Sequence, residues 1–254
     1  MLLLREGMLV KSIEFKHYRP VGNPLVAIDY FNAWEVDEIV FLDILPGKEY
    51  MVARKDINLK NFDRLVDYTT YISQKCFVPL TVGGGIRTIE DIRSLLKAGA
   101  DKVSINTQAV KHPEFITQAA KVFGRQCIVV SIDARKKADG SYEVFTSYGK
   151  EATGMTPAQW AKDVAYRGAG EILLQSMDKD GTLSGYDIDL IQSVTSNVDI
   201  PVIVCGGVGE WNHLVEGVTK GGADAVAAAN IFHYTEHSTR HAKNFMRTHS
   251  IDVR

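Results

Sequence analysis

The chain has little cysteine and almost no net charge, and it lacks any long apolar run. Cys76, Cys127 and Cys205 are the only cysteines in 254 residues. Their odd number and wide spacing suit neither a disulfide framework nor a metal site, so three reduced thiols and no metal are expected. The 29 Lys and Arg nearly balance the 31 Asp and Glu, and the formal charge of −2 argues against a nucleic-acid surface. No apolar stretch approaches the roughly 18 residues of a membrane span. The opening Met1-Leu2-Leu3-Leu4-Arg5-Glu6 meets charge too soon for a signal peptide. These absences predict a cytoplasmic protein that binds neither membrane nor nucleic acid and needs no cofactor. What is present is apolar mass: 45% of residues are hydrophobic, enough for one large core, and α/β barrels occupy this length as a single domain.

Short apolar runs alternate with amphipathic segments. Strands are expected at Glu38–Asp43, Val78–Val82, Lys102–Ile105, Gln126–Ile132, Glu171–Gln175, Pro201–Val204 and Ala223–Ala227, each apolar enough to be buried on both faces of a parallel sheet. Helices are expected at Asn58–Gln74, Ile89–Ala98, Pro113–Phe123, Pro157–Arg167, Ile188–Ser196 and Trp211–Lys220. Thr88 and Thr156 stand as N-caps, and Pro113 and Pro157 where a first turn tolerates proline. An eighth strand falls to the short Met1–Leu4. Met8–Lys16 reads as a hairpin in the first loop, with Tyr142–Tyr148 as its counterpart after the fifth strand. The order implies an α/β fold, a single (β/α)8 TIM barrel over residues 1–254 with a short first strand.

The chain also repeats itself. Val78-Pro79-Leu80-Thr81 runs into Val82-Gly83-Gly84-Gly85-Ile86, and Ile200-Pro201-Val202-Ile203 into Val204-Cys205-Gly206-Gly207-Val208, 122 positions later. Asp37–Ile44 resembles Gly170–Met177, and Lys97–Asp101 resembles Lys220–Asp224. Matches in the same order imply two fused (βα)4 halves, about 1–124 and 125–254. A strand entering glycines and then a helix presents bare N–H groups to phosphate. Two such turns predict a ligand with a phosphate at each end. Gly84, Gly85, Asn106 and Thr107 form the first expected site, and Asp180, Gly181, Gly206, Gly207, Ala229 and Asn230 the second.

Chemistry in such barrels sits at the C-terminal strand ends. Asp133 closes the apolar run Ile128–Ile132 and is the candidate general acid–base. At the opposite end Glu38, Lys102 and Glu171 begin strands and should form salt bridges on the barrel floor.

Phe41–Ile44, Pro79–Arg87, Ala98–Asn106, Gly168–Leu174, Ser176–Thr182 and Ile231–His233 together closely resemble the cyclase subunit of imidazole glycerol phosphate synthase. The resemblance runs from Leu2 to Arg254. It implies a heterodimer with a glutaminase subunit docked on the floor, whose ammonia crosses the barrel to a substrate with two phosphates. That substrate becomes imidazole glycerol phosphate and an aminoimidazole carboxamide ribotide, linking histidine and purine synthesis. It further implies that Asp133 is the strand-five catalytic aspartate and Lys11 the mobile-loop lysine. Glu38, Lys102 and Glu171 then match the ammonia gate, and Asp101 and Gln126 residues near the partner interface.

The departures gather around the mouth. Counting back from Gly7 and Lys11, the strand-one aspartate of the family falls at Leu3, which cannot exchange a proton. The gate's upstream arginine has no counterpart, and Gln175, Cys205 and Asn230 stand where smaller hydroxyl residues are usual. Two readings stay open: the histidine-pathway cyclase lacking one catalytic carboxylate, or a divergent copy that conducts ammonia to a separate amidotransferase acting on a surface-polysaccharide sugar. A phosphate-binding barrel with unrelated chemistry is a third.

Overall fold

The computed structural model describes residues 1–45, 62, 64–234 and 236–254. Strands β1 (Leu2–Arg5), β2 (Ile39–Asp43), β3 (Leu80–Gly83), β4 (Lys102–Ile105), β5 (Ile128–Lys136), β6 (Glu171–Ser176), β7 (Val202–Cys205) and β8 (Ala225–Val226) lie side by side in chain order. Every neighbouring pair among them is parallel. The sheet curls into a (β/α)8 barrel, and its seam between β1 and β8 is held where the Met1 α-amino group donates to the Ala228 carbonyl at 2.8 Å.

Burial on both faces explains the near-continuous apolar strands. Leu4, Phe41, Val82, Val103, Val130, Ile172 and Val204 point outward into the layer between sheet and helices. The alternate residues Val40, Val129, Leu173 and Cys205 form a separate apolar cluster inside the cylinder, with Met1, Leu42, Ile203 and Ala227 packed against it. The helices carry the caps expected of them. The Thr88 hydroxyl accepts from the Asp91 N–H while the Asp91 carboxylate accepts from the Thr88 N–H, a reciprocal cap. Thr156 caps Pro157–Arg167 one way only: its hydroxyl accepts from the Gln159 N–H, and among the described residues no side chain returns a bond to the Thr156 N–H. Pro113 is itself the cap of Glu114–Phe123 instead of a first-turn residue.

The repetition reaches individual hydrogen bonds. The Asp101 carboxylate accepts from the Leu80 N–H at 2.8 Å, and the Asp224 carboxylate from the Val202 N–H at 2.9 Å. Likewise Ser73 Oγ donates to the Ala98 carbonyl and Thr195 Oγ1 to the Gly221 carbonyl, both at 2.8 Å. Each bond ties the start of a strand, or a helix end, to the matching element of its half.

Some boundaries differ from expectation. The first hairpin is longer than Met8–Lys16: Met8–Ile13 pairs with His17–Gly22, because the turn falls at Glu14–Phe15, both in the left-handed region. The counterpart Tyr142–Thr146 pairs with the extended end of β5, Asp133–Lys136, and with Glu151–Ala152. The expected helix Asn58–Gln74 is described only as Leu65–Ser73, with residues 58–61 and 63 outside the described residues. Helices Pro24–Ala33, Thr107–Lys111 and Ser238–Thr248 had no counterpart in the expectation.

Candidate active site

Asp133 sits on the inner face of β5, two residues beyond Ser131 and directly across from Gln175 on β6. Its Oδ1 accepts from Ser131 Oγ at 3.0 Å and from Gln175 Nε2 at 3.3 Å. Only 7% of Asp133 is exposed. Burial pushes its pKa from 3.8 up to about 7, the Ser131 hydrogen bond opposes that rise, and the charge of Asp180 adds to it. A carboxyl poised near neutrality can both take and return a proton.

Asp133 faces a mouth cavity of about 370 Å³. Gly84, Gly85, Asn106, Thr107 and Asp180 line it, as do Leu3, Leu42, Ser104, Ser131 and Gln175. Leu3 pairs in register with Leu42 on β2, so the wall on the β1 side of Asp133 is apolar. The first glycine turn depends on lacking side chains: Gly84 has φ +122°, and a Cβ there would lie 2.3 Å from the Asp43 carbonyl oxygen. Asn106 precedes the helix Thr107–Lys111, and both polar atoms of its buried side-chain amide have no hydrogen-bond partner. An orphaned amide beside a glycine turn and a cavity is a place where a ligand's oxygens would be bound.

The second expected phosphate site is built like the first and, Asp180 apart, lies outside this cavity. Gly206 has φ +105°, and a Cβ on it would come within 2.7 Å of the Ser176 carbonyl oxygen, the counterpart of the Gly84–Asp43 approach. The Ser176 hydroxyl and Asn230 Oδ1 are buried without partners there. Gly207 accepts at its carbonyl from the Gly185 N–H at 2.8 Å, so its backbone is held close to that turn. The first hairpin covers this half. Glu14 N–H donates to the Asp180 carbonyl and Phe15 N–H to the Asp180 carboxylate, while Gly181 packs under Ser12 and Ile13. Burial raises the Asp180 pKa, and the neighbouring Ser12 hydroxyl and the hydrogen bond from the Phe15 N–H oppose that rise. Ala229 is half-buried in the loop after β8. Lys11 is not among the residues lining the mouth cavity; its ammonium donates to the Tyr234 hydroxyl at 2.8 Å.

At the other end of the cylinder, Lys102 Nζ bridges Glu38 at 3.0 Å and Glu171 at 2.6 Å. Burial pulls the Lys102 pKa down, but the two carboxylates outweigh it and leave it above the ordinary lysine value. Glu171 Oε2 is buried and has no donor. Asp101 and Gln126 lie exposed at this floor, Gln126 folded against Gly124. Sequence reasoning did not single out Ser131 as a partner of Asp133, although the two-residue spacing along a strand places both on one face. It also missed Tyr148, Tyr18 and Phe15 on the rim, where Phe15 and Tyr148 come from hairpin turns with no local signature and Tyr18 from the strand after the first turn.

Among the described residues no helix is long and apolar enough to cross a membrane, and no cluster of His, Cys, Asp or Glu could hold a metal ion. The family model that matches this chain is described as histidine biosynthesis protein, and the match covers residues 1–238.

Proposed function

The chain belongs to the histidine biosynthesis protein family, and on that premise we propose that it is an ammonia-using barrel subunit of the imidazole glycerol phosphate synthase cyclase type, paired with a glutaminase and slowed by the loss of one catalytic carboxylate. The observation that carries this reading is the arrangement of one cylinder with distinct ends. The Lys102–Glu38–Glu171 cluster is at the floor, Asp133 at the mouth, and an apolar layer of Val40, Val129, Leu173 and Cys205 between them. Such a layer favours neutral ammonia over ammonium, because an unpaired charge there would forfeit its hydration. The donor-free Glu171 Oε2 offers an acceptor to an N–H entering from below.

At the mouth, Gly84, Gly85, Asn106 and Thr107 would take one phosphate, and Asp180, Gly181, Gly206, Gly207, Ala229 and Asn230 the other, with Lys11 closing from the hairpin. Asp133 then does the acid–base work alone. Loss of one partner in such a pair typically costs about 10²–10⁴ in rate. The test is turnover of the bisphosphorylated ribotide with ammonium salts by the purified chain. Slow turnover abolished by Asp133→Asn and raised by Leu3→Asp supports the reading. A rate that Asp133→Asn leaves unchanged refutes it.

Leu3 also favours a second reading, in which the chain retains glutaminase docking and the ammonia route but hands ammonia to an amidotransferase acting on a surface-polysaccharide sugar. Co-purification with a glutaminase and a sugar-modifying enzyme, together with no ribotide turnover even in Leu3→Asp, would select it.

A further inference from the structure

Beside the mouth lies a second cavity, of about 460 Å³, with a different chemistry. Arg5, Lys16, Arg135 and Lys150 line it, and no carboxylate does so among the described residues. These cations come from four separate places: the end of β1, the turn of the first hairpin, the extension of β5, and the loop after Tyr142–Thr146. Two of them are already engaged, but weakly. Lys16 meets Glu14 at 3.1 Å on an exposed surface, and Arg135 is 3.9 Å from Asp178. Contacts of that kind contribute little and are readily exchanged for a better anion. Arg5 and Lys150 have no acidic partner among the described residues.

The cavity is also built in advance of any ligand. The Arg5 guanidinium lies over the Tyr18 ring, 4.6 Å from its centroid, which fixes the direction of its free N–H groups. Both turns that frame the cavity hold pairs of non-glycine residues in the left-handed region, Glu14 and Phe15 at φ +52° and +58°, Ser147 and Tyr148 at +53° and +63°. Such backbone persists only where the surroundings over-determine it, and it concentrates at ligand clamps. Here the surroundings are visible: Phe15 N–H donates to the Asp180 carboxylate, and Ser147 N–H donates to Thr107 Oγ1 at 3.1 Å. Tyr148 lines both cavities and is 38% exposed, so part of its ring is open to a ligand.

We infer that this basic, tyrosine-walled cavity is a binding site for a nucleoside diphosphate, separate from the glycine-turn sites of the mouth, with Arg5, Lys16, Arg135 and Lys150 on the phosphates and Tyr148 under the base. Cations from four directions suit a ligand with more than one negative charge, and the open part of the ring suits a planar base. The volume lies within the range of small-molecule pockets.

The test is calorimetric titration of the intact chain with ADP, with pyrophosphate and with adenosine. Saturable ADP binding is expected, weakened about tenfold or more by Arg5→Ala and by Lys150→Ala, as for loss of a charge-assisted hydrogen bond. Asn106→Ala, which alters the mouth, should leave it within about twofold. Both cation sites are exposed enough for the variants to fold, and unchanged circular dichroism and melting temperature verify that they do. Pyrophosphate should bind about tenfold more weakly than ADP, and Tyr148→Ala should remove that difference. The proposal is overturned if ADP does not saturate, or if Asn106→Ala weakens binding as much as Arg5→Ala does. It is also overturned if pyrophosphate binds as tightly as ADP and Tyr148→Ala changes nothing.

Discussion

Replacing Asp133 by Asn should make the protein more stable, and increasingly so as pH rises. In the unfolded chain this carboxyl ionises near 3.8, whereas in the folded chain burial, only partly relieved by Ser131, holds the pKa at about 7. Between those two values the native state keeps a proton that the unfolded state has released, so stability falls as pH rises through that window. Each pKa unit is worth about 1.4 kcal/mol, so the loss approaches about 4 kcal/mol once the folded carboxyl is also ionised. Asparagine preserves the shape and can accept the same bonds that Ser131 and Gln175 donate to Oδ1. Urea unfolding of the two proteins should therefore coincide near pH 4 and diverge towards about 4 kcal/mol in favour of the variant above pH 8. Curves that stay parallel over that range would refute the desolvated-carboxyl reasoning. The same variant should lose turnover, a stability gain at the expense of function.

Other outcomes follow from the same geometry. Leu3→Asp should raise ammonium-dependent turnover by about 10²–10⁴, measured as kcat. It should also lower stability by about 2–4 kcal/mol in denaturant titration, since Leu3 is 7% exposed. Lys102→Met leaves Glu38 and Glu171 facing each other without their shared cation. In the complex with a glutaminase, glutamine-dependent turnover should fall several-fold while turnover with ammonium salts is retained. Gly84→Ala places a Cβ 2.3 Å from the Asp43 carbonyl oxygen at φ +122°. It should cost about 2–5 kcal/mol and weaken phosphate binding in a titration monitored by calorimetry.

The barrel was legible because its strands are apolar on both faces and its halves repeat, so pattern alone located β2–β8 to within a few residues. The helices missed are those whose pattern is weak. Pro24–Ala33 is apolar on several sides, and Ser238–Thr248 is mostly polar, burying only Ser238, Thr239, Ala242 and Met246. His17–Gly22 contains a proline and a glycine and is largely exposed, so nothing in its composition marks a strand. In the site, Asp133 and the glycine turns were visible because each is local: a carboxylate ending a strand, glycines opening a helix. The Asp133–Gln175 contact depends on the register of β5 against β6, which no stretch of either strand contains alone. The four cations around the second cavity are scattered between Arg5 and Lys150 and meet only when two hairpins fold over the rim.

The claim on which the functional reading rests is that the two halves of the mouth each hold one phosphate of a single ligand. Phosphorus-31 NMR of the bound bisphosphorylated ribotide tests it most directly. Two shifted resonances should appear, with Gly84→Ala returning one to its free position and Gly206→Ala the other. Resonances that respond together to either variant, or that never leave their free positions, would contradict it.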